Sequence, residues 1–144
     1  MATDPTAGKP AAAGAPTPAT DGVAAPTAAD TIAELQSTPD ERQMAMLAHW
    51  GGIIPFVGVL VPLGLWAAKM GQSPFIEDQA KESLNFQINV LMLAIIAAVS
   101  CMIYIGYVLL PSLILTNALW SFLAGQAAKE GKVYRYPFNI RYIN

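Results

Sequence analysis

Charge and reactive side chains are scarce in this chain of 144 residues. Charged residues make up 12% of it, where about a quarter is typical of soluble domains, and 54% of the residues are hydrophobic. The chain has one cysteine and one histidine. It therefore cannot form an intrachain disulfide, and it has too few of these residues for a His-rich metal site or a nucleophilic triad. The net charge of −2 argues against a nucleic-acid surface, which requires clustered Lys and Arg. We therefore expect a membrane protein that is not an enzyme, with no catalytic residue, no metal and no cofactor.

Residues 1–37 consist mostly of Ala, Pro and Thr. They contain neither the apolar core of a signal peptide nor the Arg-rich amphipathic pattern of a transit peptide, so we expect them to remain on the mature protein. The segment has too few large apolar side chains to offset the conformational entropy lost on folding. We predict a disordered tail.

A predicted three-helix transmembrane domain, residues 38–144, begins with the capping pattern Thr38, Pro39 and Glu41. Residues 44–68 are apolar, and a helix of that length reaches roughly 37 Å, enough to cross a hydrocarbon core of about 30 Å. We predict a first transmembrane helix here, with His49 as a polar side chain at the membrane interface. The prolines remove backbone donors and should kink or break the helix near Gly51, so a re-entrant hairpin is the alternative.

Small and ring-locked residues recur along one side of this predicted helix. Such a seam lets another backbone approach closely, which is how helices associate in lipid. The predicted helix-packing seam comprises Ala48, Gly51, Pro55, Gly58 and Pro62.

The next helical pattern is amphipathic at first and becomes almost continuously apolar from Ile88 to Ala128. A run of this length is about twice the hydrocarbon thickness and indicates a helical hairpin, with spans at 86–106 and 109–128. If the turn is centred near residue 108, Ser100 lies opposite Thr116 or Asn117, and Asn89 lies near Gln126. The predicted polar stripe, interpreted as interhelical hydrogen bonding, comprises Asp78, Lys81, Asn85, Asn89, Ser100, Asn117, Ser121 and Gly125.

Lys and Arg are distributed unevenly about the predicted spans. With three crossings, the first loop and the C-terminus share a basic side, which the positive-inside rule places in the cytoplasm. The tail would then lie outside, whereas a re-entrant first segment would bring it inside. We expect an all-α protein of the bacterial inner membrane with a cytoplasmic C-terminus.

The C-terminal segment 132–144 alternates between aromatic or apolar residues and polar ones, which is typical of an extended amphipathic segment. We interpret it as a membrane-surface anchor, with Arg135 and Arg141 on lipid phosphates and Tyr142 among the headgroups. The alternative is docking on the acidic start of the second helix, where Glu77, Asp78 and Glu82 offer partners.

Three motifs carry a resemblance to a known family: AHWGG around His49, FIEDQAKESLNFQI, and GKVYRYPFNIRYI. The chain resembles small bacterial membrane proteins of unknown function that are similar to the protein-import component of the chloroplast Tic complex. The resemblance implies membrane helices and no catalytic residues, and the plant relatives are implicated in a translocation channel. Its motif positions here are His49, Asn85, Phe86, Gln87, Tyr134, Arg135, Tyr136 and Pro137.

Two functions follow as hypotheses. The first is a non-enzymatic interaction or accessory subunit, which lies in the lipid bilayer and associates with itself or with a larger membrane complex through the helix-packing seam. The second is an oligomeric channel or translocation component lined by Asn85, Asn89, Ser100 and Asn117. Intramembrane amides support the second hypothesis less than ionisable residues would.

Overall fold

The computed structural model of this protein describes residues 27–54 and 57–143, without the side chain of Leu35. All regular elements in these two ranges are helices, which confirms the predicted all-helical class. Most of the predicted tail, and Pro55 of the predicted seam, lie outside the described residues. The helices are α1 (Ala28–Gln36), α2 (Pro39–Gly51), α3 (Leu60–Lys69), α4 (Pro74–Val99) and α5 (Gly106–Lys129), and a 3-10 turn, Ser100–Ile103, follows α4.

Side-chain caps fix where the first helices begin. The hydroxyls of Thr27 and Thr38 accept from the backbone N–H three residues later, and the carboxylates of Asp30 and Glu41 accept from the cap residues in return. Each capping box satisfies N–H groups that have no partner within the helix. As a result, α1 lies within the segment that was predicted to be tail.

The predicted first transmembrane helix is wrong as a single continuous element. The structure divides residues 44–68 between α2 and α3, with an irregular connection that begins at Gly52. At 1.5 Å per residue, α2 measures about 20 Å and α3 about 15 Å, and neither crosses a hydrocarbon core of about 30 Å. The break lies where the glycine pair and prolines predicted an interruption.

Helices α2 and α3 pack closely against each other at Gly51 and Gly58. A Cβ on Gly51 would overlap the side chain of Val61, ten residues further along the chain. A Cβ on Gly58 would stand 2.6 Å from the Gly51 carbonyl oxygen and 2.9 Å from the Gly52 Cα. In a straight helix residues ten apart are about 15 Å apart along the axis, so these approaches require a hairpin.

Two elements have the length and composition of membrane spans: Pro74–Ile103, in which the 3-10 turn continues α4, and Gly106–Lys129. They correspond to the second and third predicted spans. The chain reverses at Tyr104, whose φ of 65° lies in the left-handed region. The predicted turn near residue 108 is therefore wrong by about one helical turn. Pro111 lies inside α5. Transmembrane helices tolerate such a proline when surrounding groups satisfy the carbonyl that it leaves without a backbone donor.

Exposed side chains divide the described molecule along its length. Residues 83–128 contain no Asp, Glu, Lys or Arg, and many large apolar side chains on α4 and α5 face outward, including Ile96, Val99 and Leu115. The charged residues gather at the opposite end from Tyr104, where α1, the start of α2, the 70–73 loop and the C-terminal residues meet. We call this the charged end, and the turn around Tyr104 the uncharged tip.

We predict that Gly58→Ala lowers the melting temperature because its new methyl group meets backbone atoms that cannot rotate away. Overpacking of this kind costs about 1–3 kcal/mol. Thermal unfolding in lipid nanodiscs, followed by circular dichroism, measures the change.

Gly64→Ala is the matched control. Nothing lies within 4 Å of a Cβ at Gly64, which is inside α3. Alanine is favoured over glycine in a helix by roughly 0.5–1 kcal/mol, so this variant should melt no lower than the parent. Equal melting temperatures for the Gly58→Ala and Gly64→Ala variants would contradict the close contact between α2 and α3.

Candidate functional site

The C-terminal residues 132–143, which we call the docked segment, lie along the polar side of α4. Their backbone N–H groups donate to side chains of that helix: Tyr134 to Gln79 Oε1 at 3.0 Å, and Tyr136 to Glu82 Oε1 at 2.9 Å. Further along, Asn85 Oδ1 accepts from the N–H groups of Tyr142 and Ile143, both at 2.9 Å. Helical side chains thus pair an extended backbone that has no neighbouring strand within the described residues.

Glu82 is the centre of this contact. Its side chain is 2% exposed and accepts from Arg141 Nε at 2.8 Å, Asn139 Nδ2 at 3.0 Å and the Tyr136 N–H. A buried carboxylate is costly unless it is paired and hydrogen-bonded, and here the docked segment supplies the partners. The docked segment and the Glu82 side chain therefore hold each other in place.

Arg135 joins three parts of the chain. Its guanidinium donates to Asp78 Oδ2 at 2.9 Å and forms an ion pair with Asp30 of α1. Burial by itself lowers the pKa of Arg135, but Asp78 and Asp30 outweigh it and raise that pKa. Burial raises the pKa of Asp30, and the Thr27 N–H and Arg135 reverse this to a net lowering. The ion pairs hold α1, α4 and the docked segment together.

A buried polar and aromatic cluster lies beneath the docked segment. His49 is fully buried; its Nδ1 is 3.0 Å from the Tyr136 hydroxyl and its Nε2 is 3.1 Å from Gln79 Oε1. Tyr136 also stacks on Phe86, with ring centroids 3.8 Å apart and an interplanar angle of 4°. Burial raises the pKa of Tyr136 above its usual range. His49 thereby bridges α2, α4 and the docked segment inside the protein, and its predicted position at the membrane interface stays a prediction.

Amide side chains of α4 and α5 meet the α2–α3 connection at Gly52. Asn117 Nδ2 donates to the Gly52 carbonyl at 2.9 Å, and Gln87 Nε2 donates to Asn117 Oδ1 at 3.1 Å. Gly125 lies about two helical turns after Asn117 on the same face of α5, where a Cβ would overlap the indole of Trp50. The α2–α3 connection thus obtains its hydrogen bond from α5, beside a close α2–α5 packing contact.

The described members of the helix-packing seam contact other parts of this same chain. The Ala48 carbonyl accepts from Ser83 Oγ of α4 at 2.8 Å, while Gly51 and Gly58 form the close hairpin contact described above. Pro62 is also buried. The seam therefore packs within the chain.

The polar stripe separates into two groups, and its predicted register is wrong. Asn85 and Asn89 face the docked segment rather than α5, and Asn89 Nδ2 donates to Asn139 Oδ1 and the Ile140 carbonyl, each at 2.9 Å. Ser100 donates to Ile96 of its own helix. Gln87 meets Asn117 because the turn lies at Tyr104. Lys81 pairs with Glu77 at 2.9 Å, and Ser121 is buried near Asn117.

The residues proposed as a membrane-surface anchor differ in what their side chains contact. The guanidiniums of Arg135 and Arg141 pair with carboxylates, whereas the Tyr142 side chain is exposed. Phe138 is 95% exposed, with a φ of 59° that is uncommon for a residue with a side chain. Docking on α4, the alternative interpretation, is the arrangement in the structure.

Sequence reasoning missed two residues of the site. Asp30 was assigned to the tail, although its spacing from Thr27 is the capping-box pattern that marks the start of α1. Gln79, which contacts both His49 and the Tyr134 N–H, gives no sequence signal of its own.

An open concavity of about 580 Å³ lies at the charged end. Both signs of charge line it, including Asp78, Lys81 and Arg141. Among the described residues no group of three or more His, Cys, Asp or Glu side chains is placed to hold a metal ion. The arrangement presents mixed charges to water above an apolar body.

We predict that Glu82→Gln loosens the docked segment, because the amide leaves Arg141 without its buried charge partner. Hydrogen–deuterium exchange should become faster at the Tyr134, Tyr136 and Tyr142 amides while α5 stays protected.

Glu130→Gln is the control, since Glu130 and Lys132 form an exposed pair at 2.7 Å, and such pairs contribute about 0–1 kcal/mol. Unchanged exchange in the Glu82 variant would refute the central role of Glu82.

The family model for the magnetosome magnetite crystal formation proteins (MamF and MmsF) matches residues 40–143. No curated protein and no solved structure matches the chain. The expected membership of an uncharacterised bacterial family similar to the Tic import component is wrong, because the matched family is a different one. Motif residues His49, Phe86 and Tyr136 lie within the matched range and meet in the buried cluster described above. Since the match covers well over half of its length, this chain belongs to the magnetosome magnetite crystal formation protein family, small magnetosome membrane proteins involved in forming magnetite crystals.

Proposed function

We propose that this protein is a non-enzymatic accessory subunit of a complex in the magnetosome membrane, and that it binds its protein partner at the charged end. The concavity at that end carries the proposal. It combines charges of both signs on a surface that faces water, whereas the long middle of α4 and α5 presents apolar side chains suited to lipid. A protein with complementary charges is the partner that such a surface fits.

The helix-packing seam, which the sequence suggested as the contact surface, gives less support to association. Its described members pack against α3, α4 and neighbouring backbone of this chain. A partner would have to displace these contacts to reach them. The charged end requires no such displacement.

The alternative function, an oligomeric channel, also has less support. Asn85, Asn89 and Asn117 direct their amides to carbonyl and amide oxygens within this chain. An amide that already has internal partners offers little to a passing solute.

The membrane topology proposed here has two crossings rather than three. Helices α4 and α5 cross the bilayer, the α2–α3 hairpin enters and leaves on the same side, and the charged end faces the cytoplasm. Contact between Arg135 and Asp30 supports a shared side for α1 and the docked segment, since both must lie in one aqueous compartment. The positive-inside rule favours a cytoplasmic location for the side that carries Lys69, Lys81 and Lys129.

The two-crossing topology predicts which cysteines react in intact magnetosome vesicles, whose outer face is cytoplasmic. In a Cys101→Ser background, single cysteines replace Asp40, Gln72 or Tyr104, and a membrane-impermeant maleimide is added. Cysteines at positions 40 and 72 should react at once. The one at position 104 should react only after permeabilisation.

Position 40 is the decisive one. Three crossings would place the start of α2 on the same side as the uncharged tip, so that positions 40 and 104 would be protected together. That pattern would eliminate the re-entrant hairpin. Position 72 serves as the internal control, because both topologies place it on the side of the C-terminus.

If the partner binds at the concavity, charge reversal in the Lys81–Glu77 pair should weaken binding, whereas charge reversal in the Lys132–Glu130 pair should not. Lys81→Glu reverses a charge that lines the concavity, and Lys132→Glu reverses one in an exposed pair outside it. In native mass spectrometry from lipid particles, the parent and the Lys132 variant should carry a second protein at fixed stoichiometry. The Lys81 variant should lose it, because like charges now face the partner.

A partner retained by both variants would place the contact elsewhere. A homo-oligomer with no second protein would instead favour the channel alternative.

A further inference from the structure

The docked segment has an inner and an outer face beyond its turn at Pro137. Asn139 and Arg141 point inward and contact the buried carboxylate of Glu82. The side chains that alternate with them point away from α4 and are apolar or aromatic. We call them the apolar ridge: Phe138, Ile140 and Tyr142, whose exposed fractions are 95%, 59% and 54%. A contiguous row of this kind marks a surface that contacts another molecule.

Phe138 has a backbone conformation that phenylalanine disfavours. Its φ of 59° lies in the left-handed region, where a Cβ comes close to the following carbonyl oxygen. Glycine and asparagine adopt this conformation more readily. Burial offers no compensation within the described chain, because the ring is almost fully exposed. Strained residues cluster at functional sites, and here the strain turns an aromatic ring outward.

The ridge lies at a level where the protein presents apolar side chains to its surroundings. Gln87, which lies between Asn85 and Asn89 on α4, hydrogen-bonds to Asn117 and Ser121 of α5. Lipid that covers α5 here also reaches the part of the docked segment that contacts Asn85 and Asn89. The exposed apolar side chains of α5 at this level, and nearer to the charged end, are Leu119, Phe122 and Leu123.

Asn85 and Asn89 supply this part of the segment with hydrogen bonds that lipid cannot provide. Asn85 donates to the Ile143 carbonyl at 2.8 Å, and its Oδ1 accepts from two N–H groups of the segment. Asn89 donates to the Ile140 carbonyl. Water would satisfy such backbone groups by itself, whereas in hydrocarbon an unpaired group is strongly unfavourable. The two amides thus adapt an irregular backbone to the edge of the membrane.

We propose that the docked segment inserts its apolar ridge among the lipid acyl chains of the leaflet at the charged end. Lipid is the occupant that fits, because the ridge carries no charge and lies level with the exposed apolar side chains of α5. Arg141, on the inner face of the segment, stays paired with Glu82. The inference holds for two crossings and for three, since α4 and α5 span the bilayer in both.

The ridge is a different surface from the one proposed for the protein partner. Neither Phe138 nor Ile140 lines the concavity, whereas Arg141 and Ile143 of the same segment do. Contact of the ridge with lipid therefore also holds one wall of the concavity in place.

The test measures what surrounds the ridge in the full chain, purified and placed in nanodiscs of phosphatidylcholine and phosphatidylglycerol. In a Cys101→Ser background, single cysteines replace Phe138, Leu119 or Lys132 and receive a nitroxide label. Electron paramagnetic resonance then compares collisions with oxygen, which dissolves in hydrocarbon, and with a water-soluble nickel chelate. Position 119 is the lipid-facing reference on α5. Position 132, at the exposed start of the docked segment, is the reference for water.

We expect the ratio of oxygen to nickel collisions at position 138 to match position 119 and to exceed position 132 at least about threefold, because polar solutes are excluded from an apolar medium. A ratio at position 138 equal to that at position 132 would overturn the insertion. So would low collision rates with both reagents, which would show that a second copy of the chain covers the ridge. A ratio typical of water at position 119 would overturn the membrane position of α5 itself.

Ile140→Cys is the second labelling site, because it leaves Phe138 in place. Hydrogen–deuterium exchange at the Tyr136 amide, which donates to Glu82, identifies any label that undocks the segment. A ratio typical of water at position 140, with the Tyr136 amide still protected, would also overturn the proposal. No partner protein is present in these nanodiscs, so the result is independent of the binding site proposed at the concavity.

Discussion

A broken backbone in an apolar region is the constraint on which the rest of this structure depends. The chain leaves helical geometry after Gly51, and lipid offers no partner for the carbonyl of Gly52. Asn117 of α5 donates to that carbonyl, and Gln87 of α4 holds the Asn117 amide in position. These hydrogen bonds join the hairpin to α4 and α5 in the register that brings Gln87 to Asn117. This arrangement also explains why Gly125 must be small, since Trp50 at the end of α2 is brought directly against it.

The second organising feature is the acidic side of α4. This helix begins among charged residues and continues into an apolar stretch, so the polar side chains between the two need hydrogen-bond partners. The backbone of the docked segment supplies those partners. Glu82 is buried because Arg141 and Asn139 surround it, and Arg135 connects the same region to α1. Residues far apart in the sequence thus form one polar layer over the membrane part. That layer leaves mixed charges facing water, which is where a partner protein of the magnetosome membrane would bind.

Several predictions from the sequence agree with the structure because they depend on local physics. The cap at Thr38 begins a helix where proline follows it, and the long uncharged run gives two helices of membrane length. Glu82 was recognised as a possible partner of the C-terminal segment. The interruption near Gly51 was also foreseen, although a single spanning helix was preferred over the hairpin. The predicted family was wrong, because that prediction depended only on the resemblance of short motifs such as NFQ and YRYPF to those of another family.

The sequence by itself determined the helical class, the starts of the helices and the separation of charged from apolar residues, since each depends on neighbours within a few positions. Only the tertiary structure decided that α2 and α3 turn back, that Gln87 rather than Ser100 meets Asn117, and that His49 lies between Tyr136 and Gln79. A difference of a few residues in the turn at Tyr104 changes every partner across the α4–α5 hairpin. Local patterns do not carry that information, because the register is set by contacts with residues tens of positions away.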